Sequence, residues 1–187
     1  MSVELTSPRI ILRAPQRADA EAMCQAACES VVEVGRWLPW CHRAYTLSDA
    51  HAWIDFCLDV WERGEAYPFF IFDRGDNALA GGCTLNEIDW LRRRANLGYW
   101  IRTSHMGRGL AGEAARLTAR FGLETLAMQR LEIVAAEGNT ASRRVAEKLG
   151  AFCEGLARNR LRIRDVPHDA MVFSLIPSDV RKWDEVC

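Results

Sequence analysis

A glycine-rich segment contains the residues whose types and spacing best suit phosphate chemistry. The segment from Gly107 to Gly112 follows a strand-like run that ends near Ile101, and it opens a helical pattern. Small residues let a ligand approach the backbone closely, and the unpaired N–H groups of a first helical turn attract an anion. The pattern predicts a cradle for a pyrophosphate, although a flexible loop before a helix explains the same glycines.

A second polar motif opens the next helical pattern. Asn139 and Ser142 follow a strand-like run at 131–136, and the helix that they begin ends at Gly150. Asparagine is a favoured helix N-cap residue, so capping alone accounts for Asn139, with Ser142 in the first turn. Capping and ligand contact are compatible, and we predict that this motif and the glycine-rich segment contact one ligand.

The remaining elements follow from hydrophobic periodicity and turn residues. Strands are predicted near 9–13, 67–72, 79–88, 95–101, 131–136, 152–163 and 168–176, and helices over 17–29, 48–63, 109–126 and 140–149. This order predicts an α/β (mixed α+β) fold: one domain over residues 1–187, with a central, mostly antiparallel sheet of about seven strands. About four helices flank the sheet on both faces.

Composition limits the partners and the compartment. With 24 basic and 25 acidic side chains, the chain lacks the cationic excess that binding to nucleic acid requires. Its seven cysteines are scattered without a Cys-x-x-Cys pair, which predicts reduced thiols in the cytoplasm and no metal site. No leader or membrane-spanning run is expected, and seven tryptophans with an open-edged sheet favour a homodimer.

Three segments together resemble the GNAT acetyltransferases: 98–101, 106–111 and 139–152. Within that family the chain is similar to the RimJ/RimL-like branch, which acetylates ribosomal-protein N-termini, and the resemblance runs from about Ile10 to Ile176. It implies a GNAT-like fold, acetyl-CoA as cosubstrate without a metal, and direct transfer to a primary amine. A protein N-terminus is the first expected acceptor, and a small amine is the second.

The resemblance also assigns site residues. Acetyl-CoA is expected to contact Ile101, Met106, Gly107, Arg108, Gly109, Leu110, Ala111, Gly112, Asn139 and Ser142. In this assignment the backbone N–H near Ile101 polarises the thioester carbonyl, and Ser142 is the catalytic general acid for the leaving thiolate. Met106 occupies a position that is usually polar in the family, and Leu161 occupies one where some members have an acid. The family's acceptor cleft falls at Trp37, Trp40 and Tyr45, for which a core role is equally expected.

The general base and the function class have alternatives. Glu87 and Asp89 are candidate bases on the acceptor side, but a solvated strand end explains them too. An α-amine, with a pKa of about 7.7 to 8.0, needs no strong base. A catalytically silent acyl-CoA sensor is one rival function. An NAD-binding oxidoreductase is another, because 107–112 satisfies Gly-x-Gly-x-x-Gly and Glu132 follows about 20 residues later.

Overall fold

The computed structural model describes residues 3–183, and the strands in this part of the chain form one eight-stranded sheet. The strands are β1 (Glu4–Thr6), β2 (Ile10–Arg13), β3 (Tyr67–Asp73), β4 (Leu79–Asp89), β5 (Arg94–Ile101), β6 (Arg130–Ala136), β7 (Phe152–Ile163) and β8 (Val166–Leu175). Their order is β1-β2-β3-β4-β5-β6-β8-β7, and only β5 and β6 pair in parallel. The predicted class is confirmed with one strand more, because the three-residue β1 is too short for a periodic signal.

The described helices number five rather than four. They are α1 (Ala20–Glu29), α2 (Leu47–Arg63), α3 (Leu110–Arg120), α4 (Thr140–Lys148) and α5 (Pro177–Arg181). A 3-10 turn precedes α1 and a π-helical turn follows α3, so the predicted helices over 17–29 and 109–126 each combine two helix types. Between residues 3 and 183, no helix is both long and apolar enough to cross a membrane.

Local sequence explains where α2 begins and ends. Thr46 is the N-cap, and its hydroxyl accepts from the Asp49 N–H while the Asp49 carboxylate accepts from the Thr46 N–H. This reciprocal capping satisfies two donors that the helix start leaves unpaired. The helix stops at Gly64, whose φ of 66° is a left-handed conformation that costs glycine little.

Helices cover both faces of the sheet, as predicted. Phe69 and Phe70 are neighbours on β3, so their side chains point to opposite faces. Phe70 belongs to a core cluster with residues of α1 and α2, whereas Phe69 belongs to the larger cluster that includes α3 and α4.

The sheet is open in its middle. β5 and β6 pair only over Arg94–Asn96 and Arg130–Glu132, and beyond these residues neither strand has the other as a partner. The carboxyl half of β5 therefore presents a free edge to a gap between the strands. A doubly wound dinucleotide-binding sheet needs several adjacent parallel strands, and this sheet has one short parallel pair. The described sheet therefore lacks the architecture that the NAD-binding alternative requires.

The β7–β8 hairpin reaches across to the segment between α1 and α2. Its turn is Arg164 and Asp165, both with positive φ (48° and 65°), as a two-residue type I′ turn requires. Because this turn is so tight, β8 begins at Val166, two residues earlier than predicted. The Arg164 guanidinium donates to the Gly35 carbonyl at 2.7 Å and ties the hairpin tip to the other side of the gap.

Candidate active site

The glycine-rich segment forms a concave turn between β5 and α3. Gly107 and Gly109 have φ values of 77° and 81°, which favour glycine because a side chain strains the left-handed region. A Cβ atom built on Gly107 or Gly112 would meet no other atom within 4 Å. The backbone is therefore open to a ligand at both glycines.

The amides of this turn have no internal partners. The first helical hydrogen bond of α3 runs from the Glu113 N–H to the Gly109 carbonyl at 3.3 Å. Among residues 3–183, no acceptor pairs with the N–H groups of 107–112, which lie at the positive end of the α3 dipole. The Met106 N–H differs, because it donates to the Thr103 carbonyl at 3.2 Å. The arrangement suits an anion and supports the predicted cradle, with the free amides beginning at Gly107.

Two arginines shape the outer wall of the cradle. Arg9 donates to the Arg108 carbonyl at 2.9 Å and pairs with Glu113, whose negative charge would otherwise lie close to a bound anion. Arg108 donates to the Ser104 carbonyl at 3.0 Å and lies 3.3 Å from an Asp73 oxygen. Sequence reasoning missed Arg9, because about one hundred residues separate it from the turn and it belongs to no local motif.

Glu29, at the end of α1, holds the segment that joins β5 to the cradle. Its carboxylate accepts from the Arg102 guanidinium and from the Ser104 backbone N–H, both at 2.6 Å. Burial opposes the charge, but these hydrogen bonds and the positive charge of Arg102 outweigh it and lower the pKa of Glu29. A lowered carboxyl pKa means that the ionised form stabilises the fold.

We expect Glu29→Gln to lower the melting temperature by about 2 to 4 °C at pH 7, which corresponds to about 1 kcal/mol for a chain of this size. Because the folded pKa is below the unfolded value of about 4.3, the stabilisation is complete above the unfolded pKa. It disappears as the pH falls through the folded pKa. Thermal melts of both proteins between pH 7 and pH 3 test this, and a difference that does not shrink toward acid pH would contradict it.

A cluster of three potential metal ligands lies behind the cradle. Ligand atoms of Asp73, Asp76 and His105 lie within 4.8 Å of one another. Each has a protein partner: Asp73 pairs with Arg108, and His105 Nε2 lies 3.1 Å from an Asp76 oxygen. These contacts anchor the 3-10 turn Thr103–His105 to the β3–β4 turn, so they position the cradle.

The free edge of β5 presents backbone groups to the gap. The Arg102 N–H donates to the Ala80 carbonyl at 2.8 Å, so residue 102 points its amide toward β4. Because amide directions alternate along a strand, the amides of Tyr99 and Ile101 point toward β6, where no strand pairs with them. An extended ligand arm can occupy this edge, and the Ile101 amide points into the gap.

The polar motif of α4 faces the same gap. Asn139 is the N-cap of α4, and its side-chain oxygen accepts from the Ser142 N–H at 3.1 Å, so the predicted capping is confirmed. The Ser142 hydroxyl donates to the Tyr99 hydroxyl at 3.2 Å, and the Tyr99 hydroxyl donates to the Ser142 carbonyl at 2.9 Å. Tyr99 therefore fixes Ser142 beside the free edge of β5.

Tyr99 is a site residue that sequence reasoning did not select. Its ring belongs to the face of the sheet that α3 and α4 cover, and burial raises the pKa of Tyr99 above its ordinary value, although the Ser142 hydrogen bond opposes this. The phenol is therefore neutral at physiological pH and keeps its proton for the bond to Ser142. No local sequence signal reveals this contact, because 43 residues separate the partners.

Comparison with known proteins identifies this arrangement. The Acetyltransferase (GNAT) domain family matches residues 9–151, which is more than half of the chain. The chain belongs to the GNAT acetyltransferase family. It is 31% identical over 178 residues to YdaF of Bacillus subtilis (strain 168), provisionally named a ribosomal N-acetyltransferase, and the match covers 94% of this chain and 93% of that protein.

Solved structures of GNAT acetyltransferases share the fold. A structure from Vibrio cholerae, provisionally described as a ribosomal-protein-serine acetyltransferase, is 32% identical with a TM-score of 0.83 and covers 94% of this chain and 98% of that one. RimL, the ribosomal L7/L12 alpha-N-protein acetyltransferase, in complex with coenzyme A has a TM-score of 0.85 at 21% identity, with coverage of 93% and 98%. The present protein is an acetyl-CoA-dependent N-acetyltransferase.

The loop between α1 and α2 contains Trp37, Trp40 and Tyr45, where the resemblance implies the acceptor cleft. Trp40 packs edge-on against Trp100 of β5, with ring centroids 5.2 Å apart, and a Cβ atom on Gly138 after β6 would lie 3.3 Å from Trp37. The loop thus crosses the gap from β5 to β6. Tyr45 is buried with α1 and α2, so its ring has the expected core role, and Trp40 is partly buried against the same cluster.

The two candidate bases of this acetyltransferase lie elsewhere. Asp89 is opposite Arg94 at the start of β5, and Glu87 precedes it on the same strand end. Seven residues separate Arg94 from Ile101, which is about 23 Å along a strand. Asp89 also pairs with Arg92 at 2.9 Å. The suggestion that Glu87 or Asp89 acts beside the acceptor is therefore wrong, because antiparallel register places both at the far end of β5.

Proposed function

We propose that the protein acetylates the N-terminal α-amine of a protein by direct transfer in a ternary complex. The observation that carries the mechanism is the Ser142–Tyr99 hydroxyl pair beside the free edge of β5. The choice of acceptor is supported by the names of its relatives, which describe ribosomal N-acetyltransferases and ribosomal-protein-serine acetyltransferases.

The chemistry forms a C–N bond and breaks a C–S bond. The unprotonated amine attacks the thioester carbonyl carbon, and the Ile101 N–H donates to the oxygen on which negative charge develops. The C–S electron pair leaves with sulfur, which takes a proton from Ser142, and the proton released by the amine restores the serine through water. Asn139 holds the pantetheine, and residues 107–112 hold the pyrophosphate.

A dedicated strong base is not required for this acceptor. Leu161 lies opposite His168 in the β7–β8 hairpin. The side chains of Leu161, Trp37 and Trp40 have no basic group that could remove a proton. An α-amine with a pKa of about 7.7 to 8.0 is partly neutral at pH 7.5, whereas a lysine amine with a pKa of about 10.4 is almost fully charged. The site therefore favours an α-amine over a lysine side chain.

The test offers the protein two matched peptides with acetyl-CoA. Both contain one internal lysine, and one has a free N-terminus whereas the other has a formylated N-terminus. We expect mass spectrometry to show one acetyl group on the α-amine of the first peptide and almost none on the second. Acetylation of lysine alone would overturn the α-amine assignment, and acetyl-CoA binding without turnover on any amine would favour the silent acyl-CoA sensor.

The cellular setting is part of the proposal. We place the enzyme in the cytoplasm as a homodimer, acting on a protein or small amine without nucleic acid or membrane. Both outer strands of the sheet, β1 and β7, have an unpaired edge within residues 3–183, which supports association between copies. Light scattering of the purified protein measures the oligomeric state directly.

A further inference from the structure

An aromatic pocket lies beside the acceptor loop and has no role in the mechanism above. It is formed by one stripe of α2 and by the end of the α1–α2 loop, and its volume is about 440 Å³. We call it the α2 pocket, and its lining includes Trp40, His42, Tyr45, Asp49, Trp53 and Phe56. The α2 residues follow helical spacing, so they line one face of the helix.

The aromatic rings of this stripe are not needed to hold α2 in place. The buried residues of the helix are Ala50, Ile54, Cys57 and Val60, which form a neighbouring stripe against the core. Trp53 and Phe56 are 41% and 50% exposed, and their rings stack with centroids 5.4 Å apart. Two stacked rings that remain in contact with water indicate a binding surface rather than a packing role.

A carboxylate lines the same pocket. One oxygen of Asp49 accepts from the Thr46 N–H at 2.8 Å and from the Thr46 hydroxyl at 2.7 Å, and the other has no hydrogen-bond partner between residues 3 and 183. The Thr46 hydrogen bonds lower the pKa of Asp49, so the group is charged at neutral pH. No arginine or lysine in the described part of the chain pairs with it, and a Coulombic interaction with His42, which lines the same pocket, lowers the pKa of Asp49 further. One carboxylate oxygen therefore remains open to a ligand.

The pocket adjoins the place where the acetyl group reacts. Trp40 lies between the pocket and β5. The centroid of its ring is 6.0 Å from that of Tyr45 and 5.2 Å from that of Trp100, and both pairs pack edge-on. Trp100 is in the part of β5 that has no β6 partner. A ligand in the pocket and an amine at the thioester would therefore lie on two sides of one tryptophan.

We propose that the α2 pocket binds an alkylammonium group carried by the acceptor, at a distance from the amine that is acetylated. Aromatic faces attract a cation through their quadrupole, an aliphatic stem packs on the rings, and Asp49 supplies the opposite charge. The inference rests on the proposed function, because it concerns the acceptor of that reaction. The alkylammonium comes either from a lysine near the N-terminus of a peptide or from a linear diamine.

The binding test needs no acetyl-CoA. Pentylammonium is titrated into the full-length protein by tryptophan fluorescence, with pentan-1-ol as an uncharged probe of the same shape. We expect Asp49→Asn and Trp53→Ala each to weaken pentylammonium binding about tenfold, because each removes one source of attraction. The matched control is Asp59→Asn, an exposed aspartate of α2 outside the pocket, which should bind like the wild type. The proposal would be overturned if pentan-1-ol bound as tightly as pentylammonium, or if all variants bound pentylammonium as tightly as the wild type.

A kinetic test distinguishes the two sources and separates this inference from the proposed function. The acceptors are a peptide with lysine at its third position, the same peptide with norleucine, 1,5-diaminopentane and pentylamine. The lysine peptide is compared with the norleucine peptide, and 1,5-diaminopentane with pentylamine. In one of these pairs we expect the acceptor with the additional ammonium group to have a KM about tenfold lower. Asp49→Asn should remove this difference in KM while leaving kcat unchanged. Equal KM values within both pairs would overturn the inference and leave N-acetyl transfer intact. Pentylammonium binding that depends on Asp49 without any turnover would uphold the pocket and reject the proposed function.

Asp49→Asn keeps an oxygen that can accept from the Thr46 amide, so α2 should still begin normally. A second copy of the chain could also occupy the aromatic stripe, and size-exclusion chromatography of Trp53→Ala tests this. A dimer that dissociates in this variant while pentylammonium binding stays at the wild-type level would assign the stripe to the subunit interface and overturn the proposal.

Discussion

Ser142→Ala is expected to lower kcat about 100-fold while the dissociation constant for acetyl-CoA stays within about threefold of the wild type. General acid catalysis typically contributes a factor of about 100 to 10,000, and a thiolate is a good leaving group, so the lower limit applies. The hydroxyl donates to Tyr99 and makes no hydrogen bond that the fold depends on, because Asn139 caps α4 through the Ser142 backbone N–H. Stopped-time assays of coenzyme A release, together with calorimetry of acetyl-CoA binding, measure the two quantities.

Thr140→Ala is the matched control for this change. Thr140 is an exposed hydroxyl residue in the same helical turn, so its loss tests whether any hydroxyl at the start of α4 matters. It should retain wild-type kcat. If Ser142→Ala retained more than half of the wild-type kcat, protonation of the thiolate would have to come from water, and the role assigned to Ser142 would be wrong.

Gly112→Asp is expected to raise the dissociation constant for acetyl-CoA at least about 100-fold and to leave the fold as stable as before or slightly more stable. Gly112 is the third residue of α3, where an acidic side chain interacts favourably with the helix dipole. The same carboxylate enters the open space beside the free amides of 107–112. Two like charges 4 Å apart repel by about 4 kcal/mol at an effective dielectric constant of 20, which exceeds a hundredfold change in affinity.

Gly112→Asn separates charge from size. Asparagine fills the same space without the charge, so its effect on the dissociation constant should be tenfold or less. Calorimetry and thermal melting of the three proteins check both expectations. Weak binding together with a lower melting temperature in Gly112→Asp would point to a damaged helix instead of a repelled anion, and unchanged binding would place the pyrophosphate elsewhere.

Local patterns predicted most of the elements and the cradle. Glycines at 107, 109 and 112 followed by a helical pattern are a short-range signal, and so is asparagine before a helix, so both motifs could be located without the fold. β1 and α5 were not predicted, because elements of three and five residues are too short to show a hydrophobic periodicity. The turn between the last two strands was predicted over 164–167, but its two-residue length was not, because neither Arg164 nor Asp165 is a glycine or asparagine, the usual residues for positive φ.

Contacts between distant segments could not be predicted in the same way. The Tyr99–Ser142 pair and the Glu29 contacts with Arg102 and Ser104 each join residues from separate elements, and a single sequence contains no record of such proximity. The error at Glu87 and Asp89 has the same origin. Both lie at a strand end, and only the antiparallel register shows which end that is.

The short pairing of β5 with β6 links affinity to stability. Three residues of each strand pair, and the remaining backbone groups of Leu97–Ile101 have no strand partner on that side. A variant in which β6 continued alongside β5 would gain interstrand hydrogen bonds and a more stable fold, but it would close the cleft. On our proposal that acetyl-CoA lies along the free edge of β5, selection for thermostability alone would tend to inactivate this enzyme, because the ligand needs the edge that β6 would cover.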